Sequence, residues 1–402
     1  MKIVVVGSGG REHALVEAFK REGNEVVITP GRPDCIPGSI DTSVHDIEAD
    51  LYVVGPEAPL VDGEADKLRA KGKLVFGPNK DGAQVEGSKA YMKQLLADAK
   101  VPTADFGVFT DVKPANEFLK KLNGKAAIKT SGLAGGKGVF VSQNIDEGLA
   151  DIKDKLSGKS FGEAGQEIVV EEFLDGREFS VFAITDGKKV VALPVAQDYK
   201  RLENGAMTGG VGSYSPVNHI DDKTLDRVVK TCIQPTLDEL RKRGIGYRGV
   251  LYMGGMLGRD GSTKVLEYNI RFGDPEAQVV LPRVDNLTDL LYEAASGELK
   301  SQPQINNKAL ALVVLCAEGY PDNPVKNVEI KGLDTAANTD GVTILHAGTK
   351  SDGGSILVDG GRTINVVAEG KSIEQARKRA YDAVNKISWP GMQYRSDIAK
   401  DI

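Results

Sequence analysis

Three polar side chains spaced two residues apart share the second strand of a predicted hairpin. Two apolar, β-branched runs, at 247–257 and 264–270, flank a turn that contains two glycines and an aspartate. Residues two apart on a strand share a face, so Glu267, Asn269 and Arg271 should project together. A carboxylate and an amide oxygen suit Mg²⁺ that keeps waters and phosphate oxygens as further ligands, and a guanidinium can hold a phosphate or carboxylate. The alternative interpretation is an exposed strand face with an ordinary Glu–Arg pair.

A glycine-rich loop lies between two further predicted strands, at 126–129 and 139–142. Glycine allows the backbone to approach a phosphate closely, and lysine neutralises its charge. A P-loop would be followed by a helix, whereas this loop is followed by a strand, so the pattern predicts a flexible flap over phosphates. Its candidate ligands are Lys129, Gly135, Gly136 and Lys137.

A carboxylate-rich stretch follows the apolar strand predicted at 167–170. Such a stretch can offer backbone groups to an adenine edge and a carboxylate to ribose hydroxyls, although a solvated acidic turn is the simpler alternative. The candidates are Glu171, Glu172, Phe173, Leu174 and Glu178.

A polar and basic cluster at 197–201 precedes a second glycine-rich loop at 208–214. A loop of this kind beside two cations could close over a substrate. The candidates are Asp198, Lys200, Arg201, Gly209 and Gly210.

The first residues form a strand, a glycine turn and an amphipathic helix that runs through Lys20. This arrangement favours an anion site, because free amides and the helix dipole point at the ligand. The spacing does not fit G-x-G-x-x-G, so the dinucleotide signal is weak. The next loops follow predicted parallel strands at 51–54 and 74–76, where open α/β sheets bind ligands, although Gly-Pro turns also simply reverse a chain. The candidates are Gly9, Gly10, Arg11, Glu12, Pro56 and Glu57.

The 402 residues carry 51 Lys and Arg against 57 Asp and Glu, a net charge of −6. This balance argues against a general attraction to nucleic acid, so anionic ligands must be met by local cation clusters. No apolar run approaches membrane-spanning length, and the start of the chain does not resemble a signal peptide. We therefore expect a cytoplasmic protein. Its three cysteines are read as structural thiols, and its four scattered histidines suggest no zinc site.

The element pattern predicts three domains of mixed class. An open parallel sheet should occupy 1–100, ending in one helix at 80–100, and a two-lobed core 101–299, with a flexible lid at about 120–195. A polar linker at 300–308 leads into a small α+β module at 300–402, whose helix at 372–387 begins at Ser372.

Together the flap, the acidic linker and the Glu-x-Asn-x-Arg strand resemble the ATP-grasp superfamily. The runs at 7–14, 54–61, 86–89, 132–139, 197–201 and 271–278 are similar to the glycinamide ribonucleotide synthetase family, and the similarity extends to 346–349 and 360–362. Any one run is a weak signal, but their order and coverage are specific.

The resemblance implies ligation of glycine to 5-phosphoribosylamine, with ATP cleaved to ADP and phosphate through glycyl phosphate. It implies ATP and Mg²⁺ (or Mn²⁺) as cofactors, small-molecule partners only, neither nucleic acid nor membrane, and a monomer. By position, Lys89 and Lys129 would hold phosphates, Glu171 to Leu174 the adenine, Glu178 the ribose, and Glu267 and Asn269 the metal. Arg271, Asp198 and Lys200 would act in catalysis, and Asp274, Pro275 and Glu276 would join the substrate contacts, with the phosphate end at Gly9–Glu12 and Pro56-Glu57.

Several positions depart from the family pattern. Ser131 replaces an aspartate, Tyr199 replaces a histidine, the 202–207 loop is short, and Arg32-Pro33-Asp34 follows Pro30-Gly31. Asp198 or Glu203 remains as a partner for the glycine ammonium. The alternatives are a ligase for another small acid or amine and a nucleotide-binding regulatory protein without turnover; a dehydrogenase would leave everything after residue 100 unexplained.

Overall fold

The computed structural model describes residues 1–402 except 136, 204 and 401. Its first sheet is parallel, with strands in the order Glu25–Thr29, Lys2–Val6, Leu51–Val54 and Val75–Phe76. The central strands are apolar and almost wholly buried, as expected where both faces of a parallel sheet are covered. The predicted N-terminal open parallel sheet is confirmed.

The helices of this first unit are short. They span Gly10–Arg21, Glu57–Val61, Glu64–Ala70, Lys80–Gly87 and Lys89–Asp98, with a 3-10 turn at Val44–Asp46. The prediction of a single helix at 80–100 is wrong, because Ser88 is extended (φ −137°, ψ 115°) and its hydroxyl accepts a hydrogen bond from the Tyr91 N–H. The break places Lys89 in the first turn of a new helix, beside the main cavity. Of the helices in the described part of the chain, none has the length and apolarity that a bilayer crossing requires.

A second, antiparallel sheet has a small core of its own. Its strands run in the order Phe106–Phe109, Ile168–Glu172, Ala126–Thr130 and Val139–Ser142, and it packs with helices Val112–Lys121 and Ile145–Leu156 and a 3-10 turn at Gly162–Gly165. The strand expected to end at residue 170 continues through Glu172. Glu171 and Glu172 therefore belong to a strand and not to an acidic linker, because their backbones pair with Phe106, Ala127 and Ala126.

The third sheet contains the predicted Glu267 hairpin. Its strands run in the order Val190–Ala192, Gly176–Thr185, Gly249–Gly258 and Thr263–Asn269. The predicted lid range, 120–195, includes a hairpin that belongs to this sheet, because Gly176–Thr185 pairs along its whole length with Gly249–Gly258. The associated helices are Asp222–Val228, Gln234–Lys242, Ala277–Val280 and Leu287–Ser296, with a π-helical turn at Val229–Ile233 and a 3-10 turn at Leu281–Arg283.

The last sheet joins the C-terminal module to the middle of the chain. Its strands run in the order Gln197–Asp198, Gly212–Ser215, Ala309–Cys316, Arg362–Gly370 and Val342–His346. A separate hairpin, Thr349–Asp352 with Ser355–Val358, and helices Leu333–Ala337 and Ile373–Val384 complete the module. Two large hydrophobic clusters each include residues from the first, third and last sheets, so these units share their cores. The exact domain boundaries remain a prediction.

A buried histidine pair links the first helix to the C-terminal module. The rings of His13 and His346 stack with centroids 5.9 Å apart, and the His346 N–H donates to His13 Nδ1 at 2.9 Å. His13 must stay neutral to accept this bond. Burial, reinforced by His346, lowers the pKa of His13 to about 3, and burial lowers the pKa of His346 to about 4.

We expect this pair to make folding stability fall in acid. The unfolded His13 binds a proton below about pH 6.5 and the folded one does not, so the free energy of unfolding should decrease as the pH falls from 6.5 towards 3, by about 2 kcal/mol at pH 5 from His13 alone. Urea unfolding of wild type and His13→Asn at several pH values would measure this. The asparagine variant keeps an acceptor but cannot titrate, so its stability should decline less steeply; identical slopes would contradict the account.

Candidate active site

A cavity of ≈ 460 Å³ lies where the flap, the hairpin and the first and last modules meet. It gathers most of the residues that the sequence pointed to. Lining it are Arg11, Pro56, Glu57, Lys89, Lys129, Gly135, Glu171, Glu172, Phe173, Leu174, Glu178, Asp198, Lys200, Gly209, Glu267, Asn269, Arg271, Asp274 and Glu276. The predicted common face of Glu267, Asn269 and Arg271 therefore opens onto one cavity.

A β-bulge shapes the hairpin at its functional end. Gly254 pairs with Glu267 whereas Gly255 pairs with Val265, so Leu266 is an extra residue outside the ladder. Its carbonyl accepts a hydrogen bond from Lys129 Nζ at 3.0 Å. A bulge thus ties the base of the flap to the strand that carries Glu267.

Lys200 and Glu267 form the central ion pair of the cavity. Lys200 Nζ lies 3.1 Å from Glu267 Oε1 and 3.9 Å from Asp198 Oδ2. Lys200, with Lys129 and Lys89 beyond it, lowers the pKa of Glu267 to about 2, so this carboxylate is ionised. Burial raises the pKa of Asp198, and the added field of Glu276 acts in the same direction. Glu267 is therefore a permanent anion among cations.

Lys129, at the base of the flap, is held by a buried carboxylate. Glu171 lies 2.9 Å from Lys129 Nζ through Oε1 and 2.8 Å from Lys93 Nζ through Oε2. Lys93 also donates to Thr103 Oγ1 at 2.7 Å, and burial lowers its pKa to about 8. The carboxylate of Glu171 is thus engaged by two lysines, and its backbone is paired within the second sheet.

Arg271 is fixed by two carboxylates from the first module. Its NH2 lies 2.8 Å from Glu86 Oε1, and its Nε lies 3.2 Å from Glu57 Oε2. Glu86 also accepts from the Ile270 N–H at 2.8 Å. Although burial opposes it, these carboxylates raise the pKa of Arg271 above its ordinary value. The guanidinium is a rigid, permanent cation at the edge of the cavity.

A second cavity, of ≈ 360 Å³, adjoins the first and shares Arg11, Pro56, Asp274 and Arg362 with it. Its other lining residues are Ser8, Gly9, Gly10, Glu12, Arg32, Tyr320, Ala347, Gly348 and Asn365. Glu12 accepts from the Gly9 N–H at 2.7 Å and from Arg11 Nε at 2.6 Å. Glu12 therefore supports the glycine turn, and its predicted contact with substrate stays a prediction.

Several predicted residues lie away from both cavities. Arg201 is exposed and donates to the Gly205 carbonyl, and Lys137 Nζ reaches the Pro321 carbonyl at 2.7 Å. Neither side chain lines either of these two cavities, and the predicted ligand roles of both stay predictions. Gly210 and Pro275 pack against each other and line neither cavity. Gly136 lies outside the described residues.

The departures from the family pattern have structural partners. Ser131 accepts from the Ala90 N–H at 3.2 Å, next to the start of the Lys89 helix. The Tyr199 hydroxyl accepts from the Ala399 N–H at 3.0 Å, facing away from Asp198 and Lys200. Glu203 accepts from Ser396, so it is not the free partner for an ammonium that the sequence suggested, and Asp198 remains.

Sequence reasoning missed four charged residues at the site. Glu86 and Arg362 lie inside runs that carried the family resemblance, but no role followed from their spacing. Lys93, one turn after Lys89, had a detectable signal in its helical spacing. Arg32 stands at a departure from the family pattern. Only the tertiary structure brings Glu86, Arg362 and Arg32 to the cavities, and Lys93 to the buried carboxylate of Glu171.

The residues present fit a divalent cation that shares its coordination with phosphate. The described part of the chain contains no group of three or more His, Cys, Asp or Glu side chains able to hold a metal by themselves. Glu267 and Asn269 offer two hard oxygens on the cavity wall, and Gly254, opposite Glu267, leaves room for its side chain. Mg²⁺ is commonly bound in this way, through one or two protein oxygens and substrate phosphates.

Comparison with known proteins agrees with this geometry. Family models for the N domain, the ATP-grasp (A) domain and the C domain of phosphoribosylglycinamide synthetase match residues 1–86, 87–277 and 310–401. The phosphoribosylamine–glycine ligase of Pseudomonas aeruginosa is 40% identical over 418 residues, which cover 99% of this chain and 97% of that protein.

Solved structures agree as well. The crystal structure of phosphoribosylamine–glycine ligase from Thermotoga maritima superposes with a TM-score of 0.87 at 33% identity, covering 99% of this chain and all of that one. Biotin carboxylase from Campylobacter jejuni, at 15% identity and a TM-score of 0.72, covers 98% of this chain and 92% of that one and shares the fold. Sequence, fold and site agree, and the chain belongs to the phosphoribosylglycinamide synthetase family.

Proposed function

We propose that this protein ligates glycine to 5-phosphoribosylamine, with ATP converted to ADP and phosphate through glycyl phosphate. The observation that carries the proposal is the convergence of Lys129, Lys200, Arg271 and Glu267 on one cavity that continues into a second, arginine-lined one. The first cavity suits a nucleotide and a small carboxylate, and the second suits a phosphate monoester.

The nucleotide would lie between the flap and the third sheet. Met92, Met256 and Leu174 supply apolar surface for a base, and Glu178 stands where ribose hydroxyls would reach. Lys129 and Lys89 supply positive charge for the phosphates. Because burial lowers the pKa of Lys89, an incoming phosphate would also stabilise its charged form.

The acid would lie near Asp198, Lys200 and Arg271. Its carboxylate oxygen attacks the γ-phosphorus, the bond to the ADP oxygen breaks, and an acyl phosphate forms. The amine nitrogen of the second substrate then attacks the acyl carbon, and phosphate leaves while the nitrogen gives up a proton. In such transfers the protein supplies position and charge stabilisation, which the cations Arg271 and Lys200 would provide.

A divalent cation would be held by Glu267 and Asn269, for the reason given above. When bound it neutralises phosphate charge. The phosphate of the ribosylamine would lie in the second cavity, against the Gly9 and Gly10 turn and the guanidinium groups of Arg11, Arg32 and Arg362.

The proposal is tested by measuring phosphate release from ATP with glycine and freshly generated phosphoribosylamine, each omitted in turn. Release should require both substrates for multiple turnovers, and glycinamide ribonucleotide should accumulate in equal amount. Equal release with another small acid in place of glycine would favour a ligase of different specificity. Binding of ATP without any release would favour the regulatory alternative.

Replacing Glu267 by glutamine should abolish ligation and leave the protein folded. The change removes the anion that pairs with Lys200 and would bind the metal, and the loss should be at least roughly a hundredfold in kcat, or about 3 kcal/mol. Turnover at saturating Mg²⁺, with circular dichroism as the check on folding, measures it. Near-normal turnover by the folded variant would contradict the metal assignment.

Asp198→Ala should raise the KM for glycine several-fold and change the KM for ATP little. An ammonium group in a closed site needs an anionic or carbonyl partner, and leaving it without one costs roughly 1–3 kcal/mol. Steady-state kinetics with each substrate varied would separate the two constants. An unchanged glycine dependence would remove Asp198 from the glycine pocket.

A further inference from the structure

The wall of the cavity on the acid side is one irregular hairpin loop, residues 199–209. Lys200 stands at its start, and Met207, Thr208 and Gly209 at its end line the cavity. The two ends are tied to each other, because the Lys200 carbonyl accepts from the Thr208 N–H at 2.8 Å and from Thr208 Oγ1 at 2.9 Å. Any displacement of the loop would therefore move Lys200 and the wall together.

The outer side of this loop is held by residues 395–399, here called the strap. Glu203 Oε1 accepts from the Ser396 N–H at 2.8 Å and from Ser396 Oγ at 2.5 Å. Arg395 NH1 donates to the Arg201 carbonyl at 2.8 Å, and its guanidinium lies 5.1 Å from the centre of the Tyr199 ring. With the bond from Ala399 to the Tyr199 hydroxyl, the strap contacts the loop at three positions.

The strap is itself anchored on the helix Ile373–Val384. Arg377 donates to the carbonyls of Ile398 at 2.9 Å and of Ser396 at 3.0 Å. Tyr381 donates to the Arg395 carbonyl at 2.7 Å and accepts from the Ile398 N–H at 3.0 Å. Four hydrogen bonds to one helix therefore hold the strap in place. The loop contacts the strap at three positions on its outward-facing side.

Side chains alternate between the two faces of a strand, so the strap and the cavity contact different side chains of the same segment. Asp198 and Lys200 face the cavity, and Tyr199 between them faces the strap. The contact between the strap and Tyr199 therefore sets the positions of Asp198 and Lys200, which would bind the acid. The strap would do this without contacting the substrate itself.

We propose that the strap positions the 199–209 loop for the acid substrate, and that Glu203, Ser396 and Arg395 are positioning residues for glycine. The inference rests on the proposed function, since it assigns the supported wall to the glycine pocket. It predicts that loosening the strap weakens glycine binding selectively, because the phosphate lysines lie on other elements.

The test uses Glu203→Ala, Ser396→Ala, the double variant and the conservative Glu203→Gln in the full-length protein. Glu203→Ala removes both hydrogen bonds and should raise the KM for glycine about three- to tenfold with less than a twofold change in the KM for ATP. Ser396→Ala keeps the backbone N–H donor and should have a smaller effect in the same direction, and the double variant should be no worse than Glu203→Ala. Glu203→Gln keeps an acceptor and should stay within about twofold of wild type. Glu329→Ala is the matched control, since Glu329 accepts from Ser355 Oγ at 2.9 Å on an exposed hairpin elsewhere and should leave both constants unchanged.

Hydrogen exchange decides the same question without turnover. In Glu203→Ala, amides of 200–210 should exchange faster than in wild type, and those of 126–142 should not change. Unchanged exchange and an unchanged glycine KM, or equal rises in both KM values, would overturn the strap. If wild type does not use glycine, the proposed function fails, and the exchange result alone decides whether the loop depends on the strap.

Discussion

Charge compensation among buried side chains is the constraint on which the rest of this structure depends. A buried ion is costly unless another charge or a set of hydrogen bonds accompanies it. Here Lys200 pairs with Glu267, Lys129 with Glu171, and Arg271 with Glu57 and Glu86. These pairs keep the cations in place before any ligand arrives, and phosphates or a carboxylate can then share them. These three cations of the cavity are therefore already compensated by carboxylates in the structure.

Each sheet contributes one part of this arrangement. The hairpin supplies Glu267 and Asn269, and its bulge frees the Leu266 carbonyl to accept from Lys129. The second sheet supplies Lys129 and Glu171. The first module supplies the carboxylates that orient Arg271, and the last module adds Arg362 through strand Arg362–Gly370. The shared hydrophobic clusters fix the first, third and last sheets against one another. Packing thus determines which charges meet.

Local patterns in the sequence predicted what depends on local geometry. The period of two placed Glu267, Asn269 and Arg271 on one face, and the flap strands matched the observed ones within a residue. The break at Ser88 escaped prediction because a single hydroxyl cap decides it. Glu86, Arg32 and Arg362 could not be assigned because their partners lie hundreds of residues away or on other modules. The outward position of two candidates, Arg201 and Glu203, was not foreseen, because the short loop turns them towards Gly205 and Ser396.

Cations and carboxylates line the cavity. In the proposed chemistry, the phosphoryl group passes directly from ATP to the acid. That claim is tested most directly with glycine labelled with ¹⁸O in its carboxylate. If the carboxylate oxygen attacks the γ-phosphorus and phosphate is later displaced by the amine, each phosphate released during ligation carries one oxygen from glycine. Mass spectrometry of the phosphate should show one labelled oxygen per product formed. Unlabelled phosphate, released in step with product, would contradict the account.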